Sequence, residues 1–159
     1  MKRLELTDDL KTGIDTIDNQ HRELFSWANA VSDDDVVADE KKLNEALSNL
    51  DRYVDYHFRT EEQAMNTYKY ARLEKHKAQH NRLVREVTEL YVRLKREGAS
   101  KGLMVELQYM FADWFSLHIK EWDKPFATFL KSKNVWILAS LAEVEDFQET
   151  GKQYEDQYK

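Results

Sequence analysis

Apolar residues recur every three or four positions through four long stretches of the chain, the spacing that gives an α-helix one apolar face. The first stretch runs from about Asp18 to Val31, with Leu24, Phe25, Ala28 and Val31 on one side. "SDDDVVAD" interrupts it, and Asp39 stands where a helix N-cap is expected. The second stripe is Leu43, Leu47, Leu50, Val54, His57, Glu61 and Met65. The third, from about Tyr70 to Glu97, reads Leu73, His76, His80, Leu83, Val87, Leu90 and Leu94. "EGASKG" closes it, with Gly98 as C-terminal cap and Ser100 as the next N-cap. The fourth carries Leu103, Leu107, Phe111, Trp114 and His118, then Trp122, Phe126 and Phe129. Short connections between consecutive long amphipathic helices predict an all-α fold, an up-down-up-down four-helix bundle. "VWILASLAEVEDFQ" predicts a short extra C-terminal helix. The chain then divides into a bundle over 1–132 and an acidic C-terminal helical extension over 133–159.

Composition agrees. With 159 residues, 4 Gly and 1 Pro, the chain suits one helical domain with a real core, and no alternating strand pattern is present. The net charge of −6 argues against a sequence-independent grip on nucleic acid or anionic lipid. Residues 134–159 hold six acidic and two basic residues, so this tail supplies −4 of that charge. It reads as an apolar stripe docked on the bundle followed by a solvated end, or as a helix for a partner or a second copy. Without cysteine there are no disulfides and no thiolate metal sites. "MKRLELTDDL" lacks the apolar stretch of a secretory signal, and no apolar run approaches a membrane span, so the expected location is the cytoplasm.

The anomaly lies on the seams. All five histidines, His21, His57, His76, His80 and His118, fall on the apolar faces of their helices, and together they involve all four. One such residue is ordinarily a satisfied core histidine; five of five need a common cause. His76 and His80 are four apart and project one turn apart from one face, as do His57 and Glu61. Burying such groups costs several kcal/mol unless something pairs with them, and a metal does so. Five imidazoles and a carboxylate exceed the four ligands zinc takes, and nitrogen and oxygen donors suit a pair of first-row ions, iron above all. The ferritin-like di-iron bundles use mostly glutamates with two histidines, so the ratio here is reversed.

These residues resemble the hemerythrin family, specifically its single-domain bacterial kind. The resemblance rests on "GIDTIDNQHRELF" around His21, "HFRTEEQAM" from His57, "HKAQH" from His76 and "WFSLHIKEWD" ending at Asp123, in the family's order and spacing, over roughly residues 4–130. It implies two non-haem iron ions bridged by an oxo or hydroxo group. His76, His80 and His118 would bind one iron, His21 and His57 the other, and Glu61 and Asp123 would bridge them. Counting ligands then leaves one position, on the iron with two histidines, for dioxygen. Spacing alone favours a different carboxylate: Asp123 is about 140° round an ideal helix from His118, whereas Glu121 nearly shares its face. Pro125 cannot donate to the Glu121 carbonyl, and a π-type widening near it would swing Asp123 inward. Phe58, Trp114 and Phe115 are candidates for an apolar oxygen pocket and equally for ordinary core packing. Glu62, beside Glu61, points off the seam and reads as solvated.

Two local departures from the family's pattern stand out. Leu6 takes a place where bacterial relatives often carry tryptophan, and "NTYKY" replaces a Gly-Pro-like turn. The resemblance implies reversible dioxygen binding, as carrier, store or supplier to an oxygen-consuming enzyme. The alternatives are an oxygen or redox sensor acting on a signalling partner through the C-terminal helix, and a di-iron peroxidase or nitric oxide reductase.

Overall fold

The computed structural model describes residues 3–139, and among these every regular element is helical. A 3-10 turn, Asp8–Leu10, precedes α1 (Asp15–Ala30), the short α2 (Asp34–Val37), α3 (Glu40–Thr67), α4 (Leu73–Glu97) and α5 (Lys101–His118). A π-helical segment, Ile119–Asp123, joins α5 to a short C-terminal helix, α6 (Lys124–Ser132). The long helices form a closed ring of neighbours, α1 on α3, α3 on α4, α4 on α5 and α5 on α1. The four-helix bundle expected from the periodicity is the architecture found.

The helix ends follow local chemistry. The Asp39 carboxylate accepts from the backbone N–H groups of Lys41 and Lys42 at 3.0 and 3.2 Å, capping α3. Ser100 accepts from Leu103 N at 3.1 Å and caps α5, while Gly98 ends α4 with φ +80°. After α3 the chain turns at Lys69, φ +59°, with Tyr70 N donating to Met65 O at 2.8 Å. A lysine there adopts the left-handed conformation for which glycine is the usual residue. The first helix begins at Asp15, one turn earlier than the apolar stripe predicts. Buried Asp18 holds the approach to it, accepting from Thr12 N, Thr12 Oγ1 and Gly13 N at 2.7, 2.8 and 3.0 Å.

Two apolar cores fill the bundle. The larger includes Leu24, Phe25, Leu43, Leu50, Leu83, Leu107, Phe111 and Phe115. The smaller joins Ile14, Ile17, Met65, Phe126 and Leu130, and Leu138 covers it. Leu138 is tied to α1 through Thr16, whose Oγ1 accepts from Leu138 N at 3.0 Å. Residues 135–139 are not helical, and the rest of the extra helix expected over 135–148 lies outside the described residues. Between the two cores every long helix carries buried polar side chains: His21, His57 with Glu61, His76 with His80, and His118. Buried Asp123 joins them from the π segment.

Candidate metal centre

Each long helix delivers its histidines through the seam that delivers its leucines. His21 sits one turn after Ile17 and before Leu24; His76 and His80 occupy successive turns ahead of Leu83. The consequence is complete burial. His21, His57, Glu61, His76 and Asp123 have no exposed surface, and His80 and His118 have almost none.

All five imidazoles aim Nε2 at two carboxylates. Around Asp123, His118 Nε2 lies 2.9 Å and His76 Nε2 3.1 Å from Oδ1, and His21 Nε2 lies 3.1 Å from Oδ2. Around Glu61 Oε2, His76 and His80 Nε2 are each at 3.3 Å and His57 Nε2 at 3.7 Å. The donor atoms fall into two groups, Glu61, His76, His80, His118 and Asp123 in one and His21, His57 and Asp123 in the other, with the atoms of each within 4.8 Å of one another. Asp123 belongs to both.

Apart from His76 Nε2 donating to Asp123 Oδ1 at 3.1 Å, most of this closeness is not hydrogen bonding. His21 Nε2, His57 Nε2, His80 Nε2, both Glu61 oxygens and Asp123 Oδ2 are buried without a hydrogen-bond partner, and the Nε2 atoms of His76 and His118 face each other at 3.1 Å. So many unsatisfied groups in one spot would each cost about 1–3 kcal/mol. Cations shared among them remove that cost, and the donor set, imidazole nitrogen and carboxylate oxygen without sulfur, is one that iron accepts. The residues fit a metal.

Electrostatics point the same way. Burial pushes the Glu61 carboxyl up, as does neighbouring Asp123, but His57, His76 and His80 hold it below the ordinary range. Burial also acts against ionised Asp123, and His118, His21 and His76 keep it well down. Burial lowers His57 to about 3 and lowers His118. Burial likewise acts downward on His76, but Asp123 and Glu61 outweigh it and raise the imidazole to about 9. Ionised carboxylates and neutral imidazoles are the forms that bind metal, so the proton that Asp123 and Glu61 hold on His76 would leave as a cation arrives.

The π segment brings Asp123, and not Glu121, to the cluster. An i→i+5 turn inserts one extra residue, rotating Asp123 into the interior, and Glu121 is left exposed. Pro125 stands in the first turn of α6, where its missing N–H costs least.

The three aromatic candidates separate. Phe115 packs edge-on against His21 and at a 45° tilt against His57, with ring centres 5.4 and 5.7 Å away. Phe58 stacks on His80 at 3.8 Å, and Trp114 stacks on His118 at 4.3 Å. Two polar residues escaped the sequence reading. His57 Nδ1 donates to Gln20 Oε1 at 3.0 Å, and Gln20 Nε2 donates to Thr60 Oγ1 at 3.0 Å, which fixes the ring's tautomer. Glu62, expected to be solvated, is instead partly buried, and its Oε1 accepts from His80 Nδ1 at 2.9 Å. Gln20 lies off the stripe, one residue before His21, yet is only 6 % exposed, and no sequence signal marks it.

Residues 12–130 match the model of the hemerythrin HHE cation binding domain, which takes in the whole cluster. The chain belongs to the hemerythrin family. Hemerythrin relatives include the bacteriohemerythrin of Clostridium acetobutylicum, 28 % identical over 123 residues, covering 75 % of this chain and 95 % of that protein. The bacteriohemerythrin of Pseudomonas aeruginosa is 32 % identical over 123 residues, covering 77 % and 78 % respectively. That of Methylococcus capsulatus is 27 % identical over 121 residues, covering 76 % and 91 %. No solved structure gives a significant match. The cluster in this hemerythrin is therefore a candidate cation site with iron as the metal of its family. No helix among the described residues is long and apolar enough to cross a membrane.

Proposed function

We propose that this protein binds dioxygen reversibly at two non-haem irons, as an oxygen carrier, store or local supplier in the cytoplasm. His76, His80 and His118 would hold one iron, His21 and His57 the other, and Glu61 and Asp123 would serve both. The reading rests on the convergence of five Nε2 atoms on two buried carboxylates, of whose four oxygens only Asp123 Oδ1 has a hydrogen-bond partner, His76. A ferrous pair supplies, when bound, the two electrons that dioxygen takes up and returns.

The chain's own part is to orient and to exclude. Gln20 holds the His57 ring through Nδ1, leaving Nε2 free to bind. Asp123 stands within reach of both histidine groups, which suits it to a bridge. Phe115, with no exposed surface, covers the two-histidine end, the end with fewer protein donors, and keeps water from it. Phe58 and Trp114 shield the three-histidine end by stacking on His80 and His118. An apolar surround of this kind favours reversible binding over turnover, because protons and reductants reach the centre poorly. Residues 1–132 form the binding unit in this reading, and 133–159 an acidic extension of it.

The test is an optical cycle on the iron-loaded, chemically reduced protein. A visible charge-transfer band that grows under oxygen and fades under argon supports reversible binding. Immediate, irreversible conversion to the oxidised spectrum overturns it.

A further inference from the structure

Of the five clustered histidines, His21, His76 and His118 have no hydrogen-bond partner on Nδ1, while His57 and His80 each meet a side chain. The two partners differ in charge. His57 Nδ1 donates to the neutral Gln20 amide, whereas His80 Nδ1 donates to the Glu62 carboxylate at 2.9 Å. Glu62 is itself held between elements. It rises from α3 to reach a histidine on α4, and its other oxygen lies 3.7 Å from Lys77 Nζ, one turn before His80. The carboxylate side chain is 23 % exposed and the imidazole 1 %, so Glu62 links a buried ring to the protein surface.

An anionic acceptor on one ring nitrogen fixes the tautomer, stops ring rotation and makes the other nitrogen a stronger donor. A neutral amide does the first two and little of the third. Phe58, stacked face to face on His80 with a 6° interplanar angle, removes the remaining rotational freedom of that ring.

We propose that Glu62 is a positioning residue that holds His80 and, through its charge, makes the three-histidine end of the centre the more electron-rich one. The proposal rests on the metal-binding reading above. It assigns the two ends of the centre different outer partners: an anion at His80 and an amide at His57. The end meeting dioxygen keeps the weaker donors, and the opposite end better stabilises the oxidised metal.

Two variants test it, Glu62→Ala and Glu62→Gln, with three readouts. The first is zinc affinity of the metal-free protein by chelator competition, a probe without redox chemistry. The second is the His80 Nδ1–H resonance of the zinc-loaded form, and the third the midpoint potential of the iron-loaded form. Glu62→Ala should weaken zinc binding by about 10–100-fold and lose the Nδ1–H signal to exchange. Glu62→Gln, whose amide oxygen still accepts, should regain most of the affinity and the signal, yet shift the midpoint to higher potential. Wild-type affinity and midpoint in both variants overturn the proposal. A wild-type midpoint in Glu62→Gln alone reduces Glu62 to a structural acceptor and overturns the charge role. Failure of the wild-type chain to bind zinc or iron overturns the metal-binding reading itself, and this proposal with it.

Discussion

His118 Nε2 lies 2.9 Å from Asp123 Oδ1, although five residues of a regular helix would turn these side chains well apart. The π segment Ile119–Asp123 closes that gap, and both residues reach the interior from one continuous rod. A break in helical regularity thus places a carboxylate that two metal groups can share.

Asp123→Asn should therefore weaken metal binding by at least about tenfold, and Glu121→Gln should leave it within about twofold of wild type. Titration of the metal-free chains with zinc reads both. The reverse ranking would mean that the helix is regular in solution and that Glu121 faces the metals.

Asp51 gives a pH prediction remote from the centre. Its Oδ1 accepts from Tyr91 Oη at 2.6 Å, and burial raises the carboxyl from 3.8 to about 7, against the lowering effect of that hydrogen bond. In the unfolded chain the group ionises near its ordinary value, so between there and about 7 the folded state holds the extra proton. Stability contributed by this group is complete at low pH and declines as pH rises towards about 7. Asp51→Asn keeps an accepting oxygen and removes the ionisation. It should unfold at higher urea than wild type at alkaline pH, by on the order of 1–4 kcal/mol, with the gap closing near pH ~4. An equal gap at both pH values would show that Asp51 is ionised in the fold.

Lys69 carries a backbone cost. Its φ of +59° lies in the left-handed region, at the turn where Tyr70 N reaches back to Met65 O. Lys69→Gly should stabilise the fold by roughly 0.5–1 kcal/mol, about 1–4 °C in Tm. A lowered Tm would show that the lysine side chain contributes more than its backbone conformation costs.

The bundle was legible because each helix repeats its apolar stripe over many turns, and Asp39, Gly98 and Ser100 mark ends by chemistry that acts locally. The seven clustered side chains were legible for a related reason. A histidine or carboxylate on an apolar stripe contradicts its surroundings, and that contradiction can be read without coordinates. Asp123 was the exception. Its place depends on a π turn that periodicity cannot foresee, although Pro125 hints at it, and only the family resemblance chose it over Glu121. Glu62 and Gln20 lie off the stripes, where polar residues are expected, so nothing local distinguishes them from solvated neighbours. Their role appears once α1, α3 and α4 are brought side by side. The early start of α1 was missed because Asp15 looks like a loop residue, whereas Asp18, one turn on, is buried and satisfied by Thr12 and Gly13.

In the proposed function seven buried side chains hold a pair of irons. Anaerobic titration of the metal-free chain with ferrous iron, followed by the ligand-field spectrum and by iron content after desalting, tests it most directly. Saturation at two irons per chain is expected, with a lower count in His57→Ala, which removes one of the two histidines at the less furnished end. Saturation at one iron, or none retained, would contradict it.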